Sequence, residues 1–333
     1  MRTSLSSHRT SLSSRLLGAS TARRLYTVAR DSAIVAGVGL HGGQHARVRL
    51  RPAVAGEGIH FVRTDLPTAP VIAARPSAVV STALSTTIGD ASSGVTVATV
   101  EHLMAALCGA RVSACRVEVD APELPVLDGS AAQWVHAIDA AGVSRLAASS
   151  AGAANGNDVI SLAAPVRVQE GESWAVAFPS SSLRYSVGID FASHAPIGRQ
   201  WASWAPKPDS PSGPGKLDAA GAAVAATRGG VGSFEVEVAP ARTFALQEQL
   251  SALHAAGLIK GGSLENALVC DAERWLNGPL RFVNEPARHK LLDLIGDLAL
   301  LGSCLPRAHI VAYRPSHRLN IRLAQAILKT SQL

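Results

Sequence analysis

The segment from Ala287 to Asp297 constrains the fold most strongly, because it reads as a helix with a histidine and two aspartates at four-residue spacing. Leucines, an isoleucine and good helix formers dominate this segment, and Pro286 stands where a first-turn proline is favoured. A helix would place His289, Asp293 and Asp297 on one face, since they are spaced four residues apart. An imidazole and a carboxylate one turn apart can share a metal ion. Taken alone, the pattern also fits a routine ion pair near a helix end.

A second predicted helix opens at Thr99 and supplies further candidate ligands. Leu103 and Leu107 form its buried stripe. Glu101 and His102 are adjacent, so one can bind a metal while the other faces water beside the metal. Two histidines and one carboxylate, with a fourth position open to water, make a hydrolytic zinc site. This segment alone also fits a solvated helix start, but the two segments together predict a metal centre.

Three motifs carry a resemblance to a known family: T-V-E-H-L-M-A-A-L, A-P-E-L-P-V-L-D-G-S-A and R-H-K-L-L-D-L-I-G-D. They resemble the UDP-3-O-acyl-N-acetylglucosamine deacetylases (the LpxC family), zinc enzymes that commit sugar nucleotides to lipid A synthesis. The motifs occur in the family's order, and the similarity extends from about Val28 to Leu328.

The resemblance implies zinc-dependent hydrolysis that removes acetate from UDP-3-O-acyl-N-acetylglucosamine. It assigns the metal to three ligands: His102, His289 and Asp293. Iron(II) would accept the same ligands. Glu101 would take the proton of the attacking water, and Thr243 would donate a hydrogen bond to the oxyanion. His317, which otherwise reads as a turn histidine, would protonate the leaving amine while Asp297 holds its ring.

The resemblance also implies contacts to the three parts of the substrate. Lys290, expected to point away from the metal face, and Arg314 would meet the phosphates or the sugar, and Phe191 would stack on uracil. Further contacts would come from four residues: Leu84, Phe244, Gly262 and Ser263.

An apolar insert at residues 244–270 would form a tunnel for the acyl chain, although ordinary core is the alternative. Its inner face would consist of six leucines: Leu246, Leu250, Leu253, Leu258, Leu264 and Leu268.

The predicted fold class is α+β, with two similar domains. Each domain would be a sheet with a helix layer, and the helices would pack between the two sheets. The predicted boundaries are a transit peptide at 1–26, a first domain at 27–146, a linker at 147–157 and a second domain at 158–328. A Pro-, Ala- and Gly-rich stretch at about 205–232 is predicted to be a disordered insert. The duplication follows from the resemblance, because no internal repeat is visible in the sequence.

The first thirty residues carry the chain's excess positive charge. They contain six arginines and no acid, so the formal net charge of +6 falls to zero without them. The neutral remainder disfavours a nucleic-acid binder. An arginine-rich, serine-rich segment without acids is typical of an organellar transit peptide, with cleavage predicted just after Tyr26. We predict a mitochondrial location; the alternatives are the chloroplast or, if this segment is a bacterial N-terminus, the bacterial cytoplasm.

Composition and motif content together favour a soluble enzyme. No apolar run reaches the roughly 18 residues that a membrane-spanning helix needs. We expect a monomer whose partner is its small-molecule substrate, with no nucleic acid and no transmembrane segment. The alternative is a catalytically silent organellar protein that binds acylated sugar nucleotides. The complete set of candidate catalytic residues favours turnover, because a protein that had lost catalysis should also have lost at least one of them.

Overall fold

The computed structural model describes residues 25–90, 92–146, 160–206, 233–302 and 306–331, which form two halves. The strands of the first half are β1 (Tyr26–Val28), β2 (Val35–Val38), β3 (His45–Arg51), β4 (Ile59–Arg63), β5 (Val71–Ala73), β6 (Val79–Ser81), β7 (Thr87–Asp90), β8 (Val95–Val97), β9 (Cys115–Val119) and β10 (Val143–Arg145). Its helices are α1 (Glu101–Gly109) and α2 (Ala132–Ala141).

The second half repeats this mixture of strands and helices. Its strands are β11 (Val166–Glu170), β12 (Ser173–Pro179), β13 (Arg184–Phe191), β14 (Gly198–Trp204), β15 (Phe244–Leu246), β16 (Leu268–Cys270) and β17 (Ala308–Tyr313). Its helices are α3 (Phe234–Glu237), α4 (Gln247–Ala255), α5 (Glu285–Ala299) and α6 (His317–Ser331).

The two five-stranded sheets share one topology. Their strand orders are β2-β3-β9-β4-β5 and β11-β12-β17-β13-β14. In each sheet the last strand in sequence takes the central place, antiparallel to the second strand and parallel to the third. Each half therefore runs through four strands, an insert, a helix, the central strand and a second helix. The prediction of two similar α+β domains is confirmed.

The helix layers meet in the interior of the molecule. Helix α1 packs against α5, while α5 also packs on β13 and β14, and α6 packs on β11 and β12. The strands direct alternate side chains towards these helices, as in β17, where Ala308, Ile310 and Ala312 are buried. A Cβ on Gly296 would lie 2.0 Å from the carbonyl oxygen of Glu101, so α1 and α5 cross in backbone contact.

The inserts of the two halves occupy equivalent positions in the topology. The three-stranded sheet β6-β7-β8 lies between β5 and α1 in the sequence, and the β15–α4–β16 segment lies between β14 and α5. Each insert therefore precedes the helix that enters the α1–α5 crossing, and both contribute residues to the functional site.

Two local predictions need correction. Thr99 does not cap α1: it has a φ of 59°, and its hydroxyl donates to the Glu123 carboxylate at 3.1 Å. His317, which reads as a turn histidine in the sequence, is the first residue of α6.

The domain boundaries stay predictions. Strand β1 begins at Tyr26, one residue before the predicted start of the first domain, and pairs with β10. The predicted linker, almost all of the predicted disordered insert and residues 1–24 lie outside the described residues. In the part of the chain that is described, no helix combines the length and the apolar character needed to cross a membrane.

Candidate metal centre

Helices α1 and α5 bring two histidines and a carboxylate together at their crossing. Asp293 Oδ1 lies 3.4 Å from His289 Nε2 and 3.6 Å from His102 Nε2. All three side chains are buried, and their candidate ligand atoms lie within 4.8 Å of one another. The structure therefore brings together the three residues that the sequence predicts as metal ligands.

The chemistry of this cluster fits a bound cation. Asp293 Oδ1 is buried and has no hydrogen-bond partner among the described residues, which is costly for a carboxylate oxygen. The His289 Nδ1–H donates to the carbonyl oxygen of Ala241 at 3.1 Å, which leaves the Nε2 lone pair directed at Asp293. Tetrahedral zinc with bonds of about 2.0–2.1 Å separates its ligand atoms by about 3.3 Å, close to the distances here.

The protonation states also suit a metal. Burial lowers the pKa of His289 to about 4, so its imidazole is neutral near pH 7. Burial opposes the charge on Asp293, but Lys290 and His289 outweigh that effect and hold the pKa of the carboxyl well below its usual value. A neutral imidazole and an ionised carboxylate are the forms that bind metal ions.

Lys290 does not point away from this centre as predicted. Its Nζ donates to Asp293 Oδ2 at 2.9 Å, so the lysine contacts the candidate metal ligand directly. Residues three apart on a helix are neighbours, and Lys290 precedes Asp293 by three positions. Spacing alone could therefore have suggested this ion pair.

A second set of ionisable side chains, Glu101, His317 and Asp297, lies beside the three candidate ligands. Glu101 Oε1 lies 3.7 Å from His317 Nε2, and His317 Nδ1 bonds with Asp297 Oδ2 at 2.9 Å. Burial raises the pKa of Glu101. Burial lowers the pKa of His317, but Asp297 and then Glu101 outweigh it, so that the pKa rises to about 9. Glu101 and His317 can therefore act as a proton acceptor and a proton donor at the same site.

Two buried residues that the sequence analysis missed complete this network. Thr86 Oγ1 donates to Asp297 Oδ1 at 2.5 Å, and the Thr86 backbone N–H donates to Glu101 Oε2 at 3.0 Å. Asn320 Nδ2 donates to Asp297 Oδ2 at 2.9 Å. Asn320 follows His317 by three residues on α6, so helical spacing could have suggested it. No local pattern marks Thr86.

An apolar cavity of about 320 Å³ adjoins the network. Its lining includes five residues from the predicted set: Leu84, Thr243, Phe244, Gly262 and Ser263. Three of the six predicted insert leucines also line it: Leu250, Leu253 and Leu264. Leu246 and Leu268 are instead buried in the fold, and Leu258 is half-buried outside the lining. His41 lines the cavity too, and both of its buried ring nitrogens are without a partner among the described residues.

A polar cleft of about 630 Å³ lies next to the apolar cavity, and Gln249 lines both. It brings together Phe191, Lys290 and Arg314, the remaining residues predicted to contact substrate. The Phe191 and Phe244 rings meet edge to face with centroids 5.5 Å apart, so the cleft and the apolar cavity are neighbours. Arg314 forms an ion pair with Glu172 at the rim of the cleft.

Comparison with known proteins finds relatives that match nearly the full length of the chain. It is 46% identical to UDP-3-O-acyl-N-acetylglucosamine deacetylase of Nostoc sp. over 297 residues, covering 89% of this chain and 95% of that protein. The Synechocystis sp. protein of the same name is 44% identical, with 89% and 96% covered. The Arabidopsis thaliana protein named probable UDP-3-O-acyl-N-acetylglucosamine deacetylase 1, mitochondrial, is 37% identical, with 91% and 87% covered.

A family profile agrees with these relatives. The profile described as UDP-3-O-acyl N-acetylglycosamine deacetylase (LpxC) matches residues 26–329, from the start of β1 into the last turn of α6. This range includes both halves and every residue of the candidate centre. The chain belongs to the LpxC family of UDP-3-O-acyl N-acetylglycosamine deacetylases.

Proposed function

We propose that this chain is a metal-dependent hydrolase that removes acetate from UDP-3-O-acyl-N-acetylglucosamine, the deacetylation step of lipid A synthesis. The observation that carries the proposal is the position of the Glu101–His317 pair beside the three candidate ligands. The names of the relatives support the substrate. A catalytically silent binding protein would not need this buried and energetically costly set of ionised groups.

The proposed metal is zinc, with iron(II) as an alternative, held by His102, His289 and Asp293. When bound, the ion would act as a Lewis acid on the amide carbonyl and lower the pKa of water. Glu101 accepts the proton of the attacking water through Oε1, and the amide C–N bond breaks. His317 Nε2 then gives its proton to the leaving amine, while Asp297 holds the imidazole through Nδ1. Acetate and a free amino sugar are the products. Thr243, on the wall of the adjoining cavity, would donate a hydrogen bond to the oxyanion.

The two neighbouring cavities support a division of the substrate between them. The apolar cavity would take the fatty acyl chain along Leu84, Phe244, Gly262 and Ser263. The polar cleft would take the nucleotide, with Lys290 and Arg314 near the diphosphate and Phe191 near the base. Phe244 lines the apolar cavity and contacts Phe191 of the cleft, and it would direct the sugar towards Glu101 and His317.

Acetate release from UDP-3-O-acyl-N-acetylglucosamine tests this function. Protein that begins at Leu25 would be assayed with and without a chelator, alongside Glu101→Gln and the matched surface variant Glu118→Gln. We expect turnover that stops on chelation, and loss of roughly 100-fold or more in kcat only for Glu101→Gln, which should still bind one equivalent of zinc. A folded, zinc-loaded wild type that releases no acetate would refute the proposed reaction. Loss of zinc from Glu101→Gln would refute its role as a base.

We also propose that the arginine-rich first thirty residues direct the protein to mitochondria. Relatives from Arabidopsis thaliana are named as mitochondrial, whereas others are cyanobacterial. Residues 1–40 fused to a fluorescent protein in plant cells would test this proposal, with an Arg→Gln version of the six arginines as the control. Chloroplast or cytosolic fluorescence from the unmodified fusion would contradict it.

A further inference from the structure

Thr86 contacts Glu101, the proton acceptor of the proposed reaction, and Asp297, which holds the proton donor His317. It is fully buried in the turn between β6 and β7. Its backbone N–H donates to Glu101 Oε2 at 3.0 Å, and its Oγ1 donates to Asp297 Oδ1 at 2.5 Å. One residue of the first half thus binds a carboxylate on α1 and another on α5, 211 positions away in the sequence.

In both carboxylates, one oxygen binds Thr86 and the other faces His317. Thr86 holds one oxygen of Glu101, and the other oxygen faces His317 at 3.7 Å. It also holds one oxygen of Asp297, whose other oxygen meets His317 Nδ1 at 2.9 Å. A carboxylate with one fixed oxygen cannot rotate freely, so the second oxygen stays directed at the imidazole.

The segment that carries Thr86 is itself held in place. Leu84 has a φ of 65°, which fixes the turn, and Ser85 is buried. The backbone N–H of Val100, immediately before α1, donates to the Thr86 carbonyl at 3.2 Å. The threonine is therefore bound to the start of α1 through both its N–H and its C=O.

We propose that Thr86 is a positioning residue that orients the proton acceptor and the proton donor together. Its backbone aligns Glu101, and its hydroxyl aligns Asp297 and, through it, His317. This inference rests on the proposed function, because it assigns Thr86 to the proton transfers of that reaction. Thr86 lies outside the linings of the apolar cavity and the polar cleft, so it should affect turnover more than substrate binding.

The variants Thr86→Val and Thr86→Ser separate the hydroxyl from the backbone contact. Valine keeps the N–H and nearly the same shape but leaves Asp297 Oδ1 buried without a donor. We expect Thr86→Val to lose roughly 10- to 100-fold in kcat with little change in KM, and Thr86→Ser to stay within a few-fold of wild type. Thr86→Ala serves in place of valine if the valine protein does not fold. A removed hydroxyl that leaves kcat unchanged, or an equally impaired Thr86→Ser, would overturn the proposal.

A double-mutant cycle with His317→Ala tests whether the hydroxyl acts through the imidazole. If it does, Thr86→Val should cost little further activity once His317 is absent. If the two losses multiply, the hydroxyl has a separate structural role and the proposal is wrong.

Proton NMR of the zinc-loaded protein gives a readout that does not depend on turnover. The Nδ1–H signal of His317, assigned by its loss in His317→Ala, should shift in Thr86→Val and stay in place in Thr86→Ser. An unchanged signal in Thr86→Val would overturn the positioning role. If the variants show this pattern but the wild type releases no acetate, the proposed reaction is refuted and the positioning role is not. The two failures are therefore distinguishable.

Discussion

At the scale of single residues, the proposed chemistry depends on two ionisable groups that need opposite protonation states. Glu101 must be ionised to take a proton, although burial raises the pKa of its carboxyl. His317 must be protonated to give one, and Asp297 and Glu101 hold its pKa at about 9 against the effect of burial. Each group stabilises the charged form of the other across 3.7 Å.

The His317 pKa predicts where activity ends at high pH. Its raised value keeps the imidazolium present through neutral pH, so kcat/KM should fall as the pH rises through about 9. Asp297→Asn removes the largest favourable charge and should move this limb of the pH profile to lower pH. Steady-state rates between pH 5 and 10.5 for both proteins measure it. An unshifted limb in Asp297→Asn would show that another group titrates there.

Sequence spacing revealed some of the site residues but not others. The ligand pair His289 and Asp293 could be read from one helix, because four-residue spacing fixes a shared face. The prediction that Lys290 points away from the metal face was wrong, because its long side chain donates a hydrogen bond to Asp293. Thr86 lies in a β-branched stretch where a threonine is ordinary, and its role depends on a distant aspartate.

At the scale of secondary-structure elements, the crossing of α1 and α5 sets the geometry of the candidate centre. Glu101 and His102 begin α1, while His289, Asp293 and Asp297 line one face of α5. The helices can approach this closely because residue 296 has no side chain. Helix contact, rather than any loop, therefore fixes the spacing of the candidate ligands.

Gly296→Ala tests this crossing. Alanine favours a helix interior by about 1 kcal/mol over glycine, yet here its Cβ would meet the Glu101 backbone, which cannot move aside. We expect the free energy of unfolding to fall by roughly 1–3 kcal/mol, and the zinc affinity to fall with it. Urea denaturation and zinc titration measure the two effects. A more stable variant would show that the helices do not depend on this contact.

Glu123 joins two further elements near the site. Its buried carboxylate accepts hydrogen bonds from the His41 and Gly42 backbone N–H groups at 2.8 and 2.7 Å, and from the Thr99 hydroxyl. It thereby ties the turn that carries His41, on the wall of the apolar cavity, to Thr99, two residues before α1. No role was predicted for this glutamate, although it lies within one of the family motifs.

Glu123→Gln should weaken this connection, because an amide offers one acceptor oxygen where a carboxylate offers two. One backbone N–H would then face the amide NH2 group without a partner, at a cost of about 1–3 kcal/mol in the free energy of unfolding. The control is Glu118→Gln, whose ion pairs with Arg51 and Arg116 are partly exposed and should contribute about 0–1 kcal/mol. Equal losses of stability for the two variants would contradict the connecting role of Glu123.

At the scale of the whole molecule, the two halves depend on each other. Glu101 and His102 come from the first half, whereas the other ionisable groups of the site come from the second. A single cluster of buried apolar side chains runs through both halves and includes Leu103 and Leu294. Neither half alone would contain the site or bury its inner helix.

We therefore expect the metal-free protein to unfold in one transition. Trp134 is the only tryptophan in residues 27–146, so its fluorescence reports on the first half, while circular dichroism reports on both. The difference between the fluorescence of wild type and Trp134→Phe isolates that signal. Coincident midpoints in urea would support the shared core. Separate midpoints would show that the halves fold independently.

Local patterns and family motifs were enough to predict the class of the fold and most residues of the candidate site. Alternating apolar residues, helical spacing and the family motifs indicated two α+β halves, and they identified the three candidate ligands with Glu101 and His317. These features are local, since each depends on residues within a few turns of one another or on a contiguous motif.

The way these local features combine depends on contacts between distant parts of the chain. The two sheets share one topology, which is visible in the order of their strands. The sequence shows no repeat, because different side chains can fill equivalent positions in the two halves. The backbone contact at Gly296 and the shared hydrogen bonds of Thr86 join residues that are far apart in the sequence. Such contacts leave no periodic pattern in a single chain, since they depend on how packed helices and turns meet in space.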